Sequence, residues 1–109
     1  MRMVDERLSY IFSKWLVIEC SRRRTVLGKP RKYDDTETEY EKELCKLYNR
    51  RTQLGVSLNM LALALGKSRP GLSLIENGKL NSENWLYIYS ANYILDQYEN
   101  WLDNEVKTA

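Results

Sequence analysis

Apolar residues recur at intervals of three and four along most of this chain, a period that predicts helices rather than strands. The first such stripe predicts an amphipathic helix over about residues 4–23. Its steps of four, three, four and three join Val4, Leu8, Ile11, Trp15 and Ile18. This stripe either covers the domain core or mediates dimerisation, and the pattern favours neither interpretation.

A second helix is predicted to begin at residues 34–36 and to end before Gly55. Acidic residues fill its first turns and basic residues, Arg50 and Arg51 among them, fill its last turns. This order complements the helix dipole at both ends. Its buried side is expected to hold Tyr40, Leu44, Leu47, Tyr48 and Leu54.

Two short helices follow, each with its own start and stop signal. Ser57 and Ser68 are suited to N-caps, because a serine hydroxyl accepts an unpaired backbone N–H of the first turn. Gly55, Gly66 and Gly78 stand where a chain leaving a helix needs positive φ. The connection between the two helices is about four residues, which suits a steep crossing. The pattern is that of a helix-turn-helix.

The C-terminal segment is rich in aromatic residues. Asn81 or Ser82 is expected to cap a helix that runs from Trp85 to Leu102. Periodicity leaves open whether this is one helix or two helices broken near Asn92. Because the segment carries more rings than one core face can bury, part of it is expected to meet a partner subunit. The possible dimerisation residues are Trp15, Trp85, Tyr89, Tyr93 and Trp101.

Charge is distributed unevenly along the 109 residues, although the formal net charge is only +2. Residues 1–80 carry sixteen Lys and Arg against ten Asp and Glu, a net +6, whereas residues 81–109 carry one against five, a net −4. The acidic end is expected to face away from any nucleic acid. One domain of this size is near the lower end of what buries a comfortable core alone, so dimerisation is plausible on stability grounds.

The chain has no histidine, which removes Ser-His-Asp and Cys-His catalysis and HExxH metal sites. An enzyme is therefore not expected. Cys20 and Cys45 are too few and too far apart for a disulfide framework or a zinc site, so buried, reduced thiols are expected, with no metal and no cofactor. Charged residues interrupt the apolar runs, so neither a signal peptide nor a membrane span is expected and the predicted location is the cytoplasm.

Residues 44–94 resemble the XRE family of helix-turn-helix proteins, the Cro/CI phage-repressor type. The elements Gly-Val-Ser, Leu-Ala, Leu-Gly-x-Ser-Arg and Ile-Glu-Asn-Gly-Lys keep the family's spacing without insertion or deletion. The resemblance implies an all-α, lambda-repressor-like helical bundle, which with a C-terminal helical extension is expected to occupy residues 34–109. The N-terminal amphipathic helix and basic linker, residues 1–33, precede this domain and are not usual in the family. The resemblance also implies a structural ion pair between Arg51 and Glu76.

The resemblance further implies a recognition helix over about residues 68–77, laid in the major groove with its N-terminal residues toward the bases. Arg69 is the main candidate for base reading, because a guanidinium binds guanine O6 and N7 with two parallel hydrogen bonds. Ser73 adds a single hydrogen bond, and the flanking residues suit phosphates. The complete candidate DNA-binding set is Arg69, Ser73, Lys67, Ser68, Asn77, Lys79 and Arg50.

Several positions depart from the family pattern. Leu58 stands where the family usually has Gln, Pro70 and Gly71 stand where polar base-reading residues are common, and Leu74 replaces another polar residue. Proline is tolerated in a first turn, so the helix is still expected. Base reading is reduced to few side chains.

Two functions are compatible with these features. The leading interpretation is a transcriptional regulator that binds double-stranded DNA as a homodimer. The alternative is a protein-interaction module, such as an antitoxin, anti-repressor or inhibitor, which would use the apolar face of Leu58, Met60, Leu63 and Leu74. Coverage of this face by the N-terminal helix is the competing explanation.

A basic linker over residues 22–32 precedes the second helix and contains no acidic residue. It is either an ordinary surface loop or an arm that touches phosphates or enters a minor groove.

Overall fold

The computed structural model describes residues 6–22, 28–79 and 82–108, with side chains described for residues 6–14, 28–79 and 82–103. Over these residues the chain forms five α-helices and no strand, which confirms the all-α prediction. The helices are α1 (Glu6–Arg22), α2 (Glu39–Gln53), α3 (Leu58–Leu65), α4 (Arg69–Glu76) and α5 (Trp85–Thr108). Among the described helices, none has the length and apolarity needed to cross a bilayer.

Helix α2 begins later than the sequence suggested. Thr38 is its N-cap: the Thr38 hydroxyl accepts the N–H of Glu41 at 3.1 Å, and the Glu41 carboxylate accepts the N–H of Thr38 at 2.8 Å. This reciprocal capping box fixes the start. The predicted start at residues 34–36 is wrong, because the Asp34 carboxylate accepts the N–H of Thr36 at 3.0 Å and closes a turn there instead.

Helix α5 is continuous from Trp85 to Thr108, so the C-terminal segment is one helix and not two. Of the two expected caps, Asn81 lies outside the described residues, and Asn84 rather than Ser82 makes the capping contact. The side-chain oxygen of Asn84 accepts the N–H of Tyr87 at 3.0 Å, the contact that an N-cap makes with the third residue of a helix.

Helix α1 packs against α3 and α5 and contributes to the main core. Leu8, Ile11 and Phe12 are buried there, and the Phe12 ring lies 5.4 Å from that of Tyr98 and 5.9 Å from that of Trp101. The described part of the N-terminal stripe therefore covers the domain core.

This packing decides the position of one predicted dimerisation residue, and another cannot be placed. Trp101 is buried inside the chain's own core, so its assignment to a dimer interface is wrong: its ring is already covered by α1. The side chain of Trp15 lies outside the described residues.

Candidate nucleic-acid interface

Helices α3 and α4 are joined by residues 66–68 and have the predicted capping. The hydroxyl of Ser57 accepts a backbone N–H of α3 at 3.1 Å, and that of Ser68 accepts the N–H of Gly71 at 3.2 Å. Gly66 ends α3 with φ 68°, a left-handed conformation that costs little only without a Cβ atom. The two helices thus change direction within one tight turn.

A buried ion pair joins the end of α2 to the end of α4. Nε and Nη2 of Arg51 both donate to one carboxylate oxygen of Glu76, at 3.0 and 2.6 Å, and Nη1 of Arg51 donates to the carbonyl of Val56 at 2.8 Å. The two side chains are 7% and 4% exposed. Because each charge depends on the other for compensation, the pair fixes where α4 ends relative to α2.

The first turn of α4 lies at the surface with the candidate residues around it. Lys67, Ser68 and Arg69 are exposed, whereas Ser73 is half-buried. Pro70 lies within this first turn, where its missing N–H removes no helical hydrogen bond. A guanidinium is therefore presented at the N-terminal end of a helix that is itself held by the Arg51–Glu76 pair.

A shallow groove of about 310 Å³ runs beside this turn. It is lined by the cations Lys14, Lys67 and Arg69 and by Met60 and Leu63, and none of the described residues in its lining is acidic. Lys14 belongs to α1, and sequence reasoning did not include it, because only the packing of α1 against α3 brings it here. The groove extends the positive surface of the recognition helix toward α1.

Asn77, a candidate phosphate contact, is already engaged at the end of α4. Its amide nitrogen donates to the carbonyl of Ser73 at 2.8 Å, and its amide oxygen accepts from Nη2 of Arg31 at 2.9 Å. Arg31 lies in the basic linker, 46 residues earlier, and no pattern in the sequence locates it beside Asn77. Lys79, the other candidate at this end, is exposed.

Arg50 has a different role from the predicted one. Its guanidinium forms salt bridges with Asp96 and Glu99 of α5, and Nη1 donates to the side-chain oxygen of Asn92 at 2.9 Å. Burial opposes the charge, but the hydrogen bonds that the guanidinium donates to the two carboxylates, together with their negative charges, outweigh it and raise the pKa of Arg50 above its ordinary value. A guanidinium that is neutralised by two carboxylates has little attraction left for a phosphate, so Arg50 is not expected to contact DNA. It ties α2 to α5 instead.

The apolar face of the motif is smaller than the sequence suggested. Leu58 and Met60 are half-buried and pack against the core, so they do not form an open contact face. Leu63 and Leu74 remain 51% and 48% exposed. Helix α1 packs against α3, where Ala64 is buried, and these two leucines remain at the surface.

A second apolar surface lies on the outer side of α5. Leu86, Tyr89 and Tyr93 follow one another at intervals of three and four and are 75%, 65% and 54% exposed. Trp85 is half-buried and packs edge-on against Tyr40, with ring centres 5.5 Å apart. Of the candidate dimerisation residues whose side chains the structure describes, Tyr89 and Tyr93 are thus the exposed ones, and Leu86 lies beside them.

Comparison with known proteins adds one finding to this geometry. A family model described as helix-turn-helix matches residues 47–82, the end of α2 through the loop after α4. No curated protein and no solved structure matches the chain. The caps, the tight turn, the buried pair and this match agree, and residues 47–82 form a helix-turn-helix domain of the XRE family, the Cro/CI phage-repressor type of DNA-binding regulatory domain.

Proposed function

We propose that this protein is a transcriptional regulator that binds double-stranded DNA by inserting the first turn of α4 into the major groove. The observation that carries the proposal is the exposed Arg69 at the start of a recognition helix whose far end is anchored by a buried ion pair. A fixed helix can hold a guanidinium in the plane of a guanine edge. The proposal includes no enzymatic activity, and it places the protein in the cytoplasm.

Sequence preference would be modest and would depend partly on DNA shape. Beyond Arg69, the exposed positions of α4 hold Pro70 and Leu74, which can contact a thymine methyl but form no hydrogen bond with a base edge. Ser73 is half-buried and close to the Asn77 amide. A narrow minor groove or an easily bent DNA sequence would then contribute specificity at positions that the protein does not touch.

The proposal includes a homodimer formed through the outer face of α5. Leu86, Tyr89 and Tyr93 make a continuous apolar stripe that the described residues of the chain leave open. Two copies joined by one self-complementary face would present two recognition helices to a palindromic site. Half-sites would lie about 34 Å apart, or one helical turn of DNA.

The test is fluorescence anisotropy with a labelled random duplex, over a salt series, followed by selection of bound sequences from a random library. We expect binding that weakens as salt rises, because displaced counterions drive phosphate binding. The selected sites should be palindromes with a fixed half-site spacing. Absence of salt-dependent binding even at low salt would exclude the regulator.

A second function is favoured by one observation, the exposure of Leu63 and Leu74 on the motif itself. In this alternative the fold acts as a protein-interaction module and these leucines contact another protein. The variant Leu63→Ser separates the two functions, because Leu63 is exposed, no base contact is assigned to it, and serine adds no charge beside the DNA-binding surface. If Leu63→Ser binds DNA tightly and dimerises as the wild type does, the alternative loses its support.

A further inference from the structure

Residues 28–33, which precede α2, are held against that helix by a paired contact. The side-chain oxygen of Asn49 accepts the backbone N–H of Arg31 at 2.7 Å, and the Asn49 amide nitrogen donates to the carbonyl of Arg31 at 2.9 Å. One amide side chain thereby satisfies both backbone groups of a residue in a linker. The backbone of Arg31 is fixed in place relative to α2.

The guanidinium of Arg31 is fixed as well. Its Cζ atom lies 3.6 Å from the centre of the Tyr48 ring, a stacked cation–π contact, and its Nη2 donates to the Asn77 side chain at 2.9 Å. Arg31 forms no salt bridge with any residue that the structure describes, and it is exposed. A guanidinium has five N–H donors, so most of its donors remain for a ligand.

This charge is placed at the end of the recognition helix. Asn77 caps α4, and Lys79 follows two residues later. If α4 enters the major groove, the groups beside its end lie where the DNA backbone runs. We propose that Arg31 binds a DNA backbone phosphate and that Tyr48 and Asn77 pre-position it to do so, an inference that rests on the regulator function proposed above.

Nearby acidic residues restrict the direction from which a phosphate can approach. Glu37 and Glu41 line the same cavity of about 220 Å³ as Arg31, Lys32 and Asn77. The Glu41 carboxylate is occupied by the N–H of Thr38 in the capping box. A phosphate is thus expected at the outer edge of the cavity, on the side of Arg31 and Lys32.

The experiment compares wild-type protein with Arg31→Gln in the random-duplex anisotropy assay over a salt series. Loss of one phosphate contact should make the negative slope of log Kobs against log salt shallower by about 0.9. The ratio of wild-type to variant affinity should then shrink about 3.5-fold between 50 and 200 mM salt. Lys46→Gln is the matched control, because it removes the same charge from an exposed site where Lys46 pairs with Glu43.

Two variants of Tyr48, whose ring lies against the Arg31 guanidinium, test the pre-positioning of Arg31 separately from its charge. Tyr48→Phe keeps the ring under the guanidinium and should bind as wild type, whereas Tyr48→Leu removes the ring and should weaken binding while every formal charge is retained. Thermal melting of each variant checks that the fold is intact. If Tyr48→Leu and Tyr48→Phe bind the duplex with equal affinity, the Tyr48 ring does not pre-position Arg31.

The outcomes distinguish this inference from the proposed function. If the wild-type protein binds DNA and Arg31→Gln shows the same salt slope, the assignment of Arg31 to a phosphate is overturned and the proposed function is not. Tighter binding by Arg31→Gln also overturns it, since Arg31 would then be competing with phosphate for Asn77. Wild-type protein that binds no duplex overturns both.

Discussion

Removal of the Glu76 carboxylate is the most direct test of how this fold is held together. In Glu76→Ala the guanidinium of Arg51 stays buried but loses its counter-charge and two hydrogen bonds, and among the described residues it keeps one hydrogen bond, to the carbonyl of Val56. Water cannot easily replace the carboxylate, because the Arg51 side chain is only 7% exposed. An uncompensated buried charge is strongly destabilising.

The expected loss follows from this burial. Breaking a buried pair by removing one partner costs about 3–5 kcal/mol, a large part of the roughly 5–15 kcal/mol that stabilises a typical domain. At about 4 °C per kcal/mol for a chain of this size, the melting temperature should fall by roughly 12–20 °C. Glu37→Ala, which removes a carboxylate with no salt-bridge partner among the described residues, should change stability by less than about 0.5 kcal/mol.

The assays are urea unfolding and thermal melting, both followed by circular dichroism, applied to Glu76→Ala, Arg51→Ala and the double variant. We expect the double variant to lose much less stability than the sum of the two single variants, because removing both partners leaves no unpaired charge in the core. Losses that add to within about 0.5 kcal/mol would refute the coupling, and a melting temperature of Glu76→Ala equal to that of wild type would refute the pair.

Three further predictions concern DNA binding, assembly and packing. Arg69→Ala should relax sequence preference in competition binding, whereas Lys79→Ala should weaken all sequences alike and lower the salt slope; the same behaviour of both variants would contradict their assignment to bases and phosphates. Tyr89→Lys should shift sedimentation toward monomer and weaken binding to a palindrome more than to a half-site, whereas Tyr10→Lys, on the exposed side of α1, should do neither. Burial raises the pKa of Tyr87, and its hydroxyl has no hydrogen-bond partner in the described part of the chain. Because Tyr87→Phe removes this unpaired hydroxyl, it should raise the free energy of unfolding by about 1 kcal/mol, measured by thermal melting. A clear fall in stability would reveal a partner for that hydroxyl.

Local features of this fold were predictable because the interactions that create them span few residues. A serine hydroxyl caps an N–H three residues away, so the caps at Ser57 and Ser68 could be read from sequence alone. The same holds for Gly66, which the exit from α3 requires. The sequence pattern does not locate the start of α2, because Asp34 and Thr38 are both good capping residues. In the structure the Thr38–Glu41 box pairs the backbone N–H groups of both Thr38 and Glu41, and α2 begins after Thr38.

In contrast, only tertiary packing decides the different roles of neighbouring residues of the same type. Arg50 and Arg51 are adjacent and chemically identical, yet Arg51 is buried with Glu76 and Arg50 reaches Asp96 and Glu99. Helical periodicity gives their relative directions but not which acidic groups lie there, since those groups are 25 to 49 residues away. The resemblance to a family identified the first pair, and nothing in the sequence identified the second.

The aromatic C-terminal helix illustrates the same division. The sequence determined that α5 carries more rings than one face can bury, because composition and period are properties of the chain itself. Which rings are buried depended on α1, whose Phe12 covers Trp101 while Tyr89 and Tyr93 stay open. The chain alone thus determined the motif, its caps and its helical periods, whereas long-range packing decided which basic and aromatic side chains remain free to meet DNA or a second subunit.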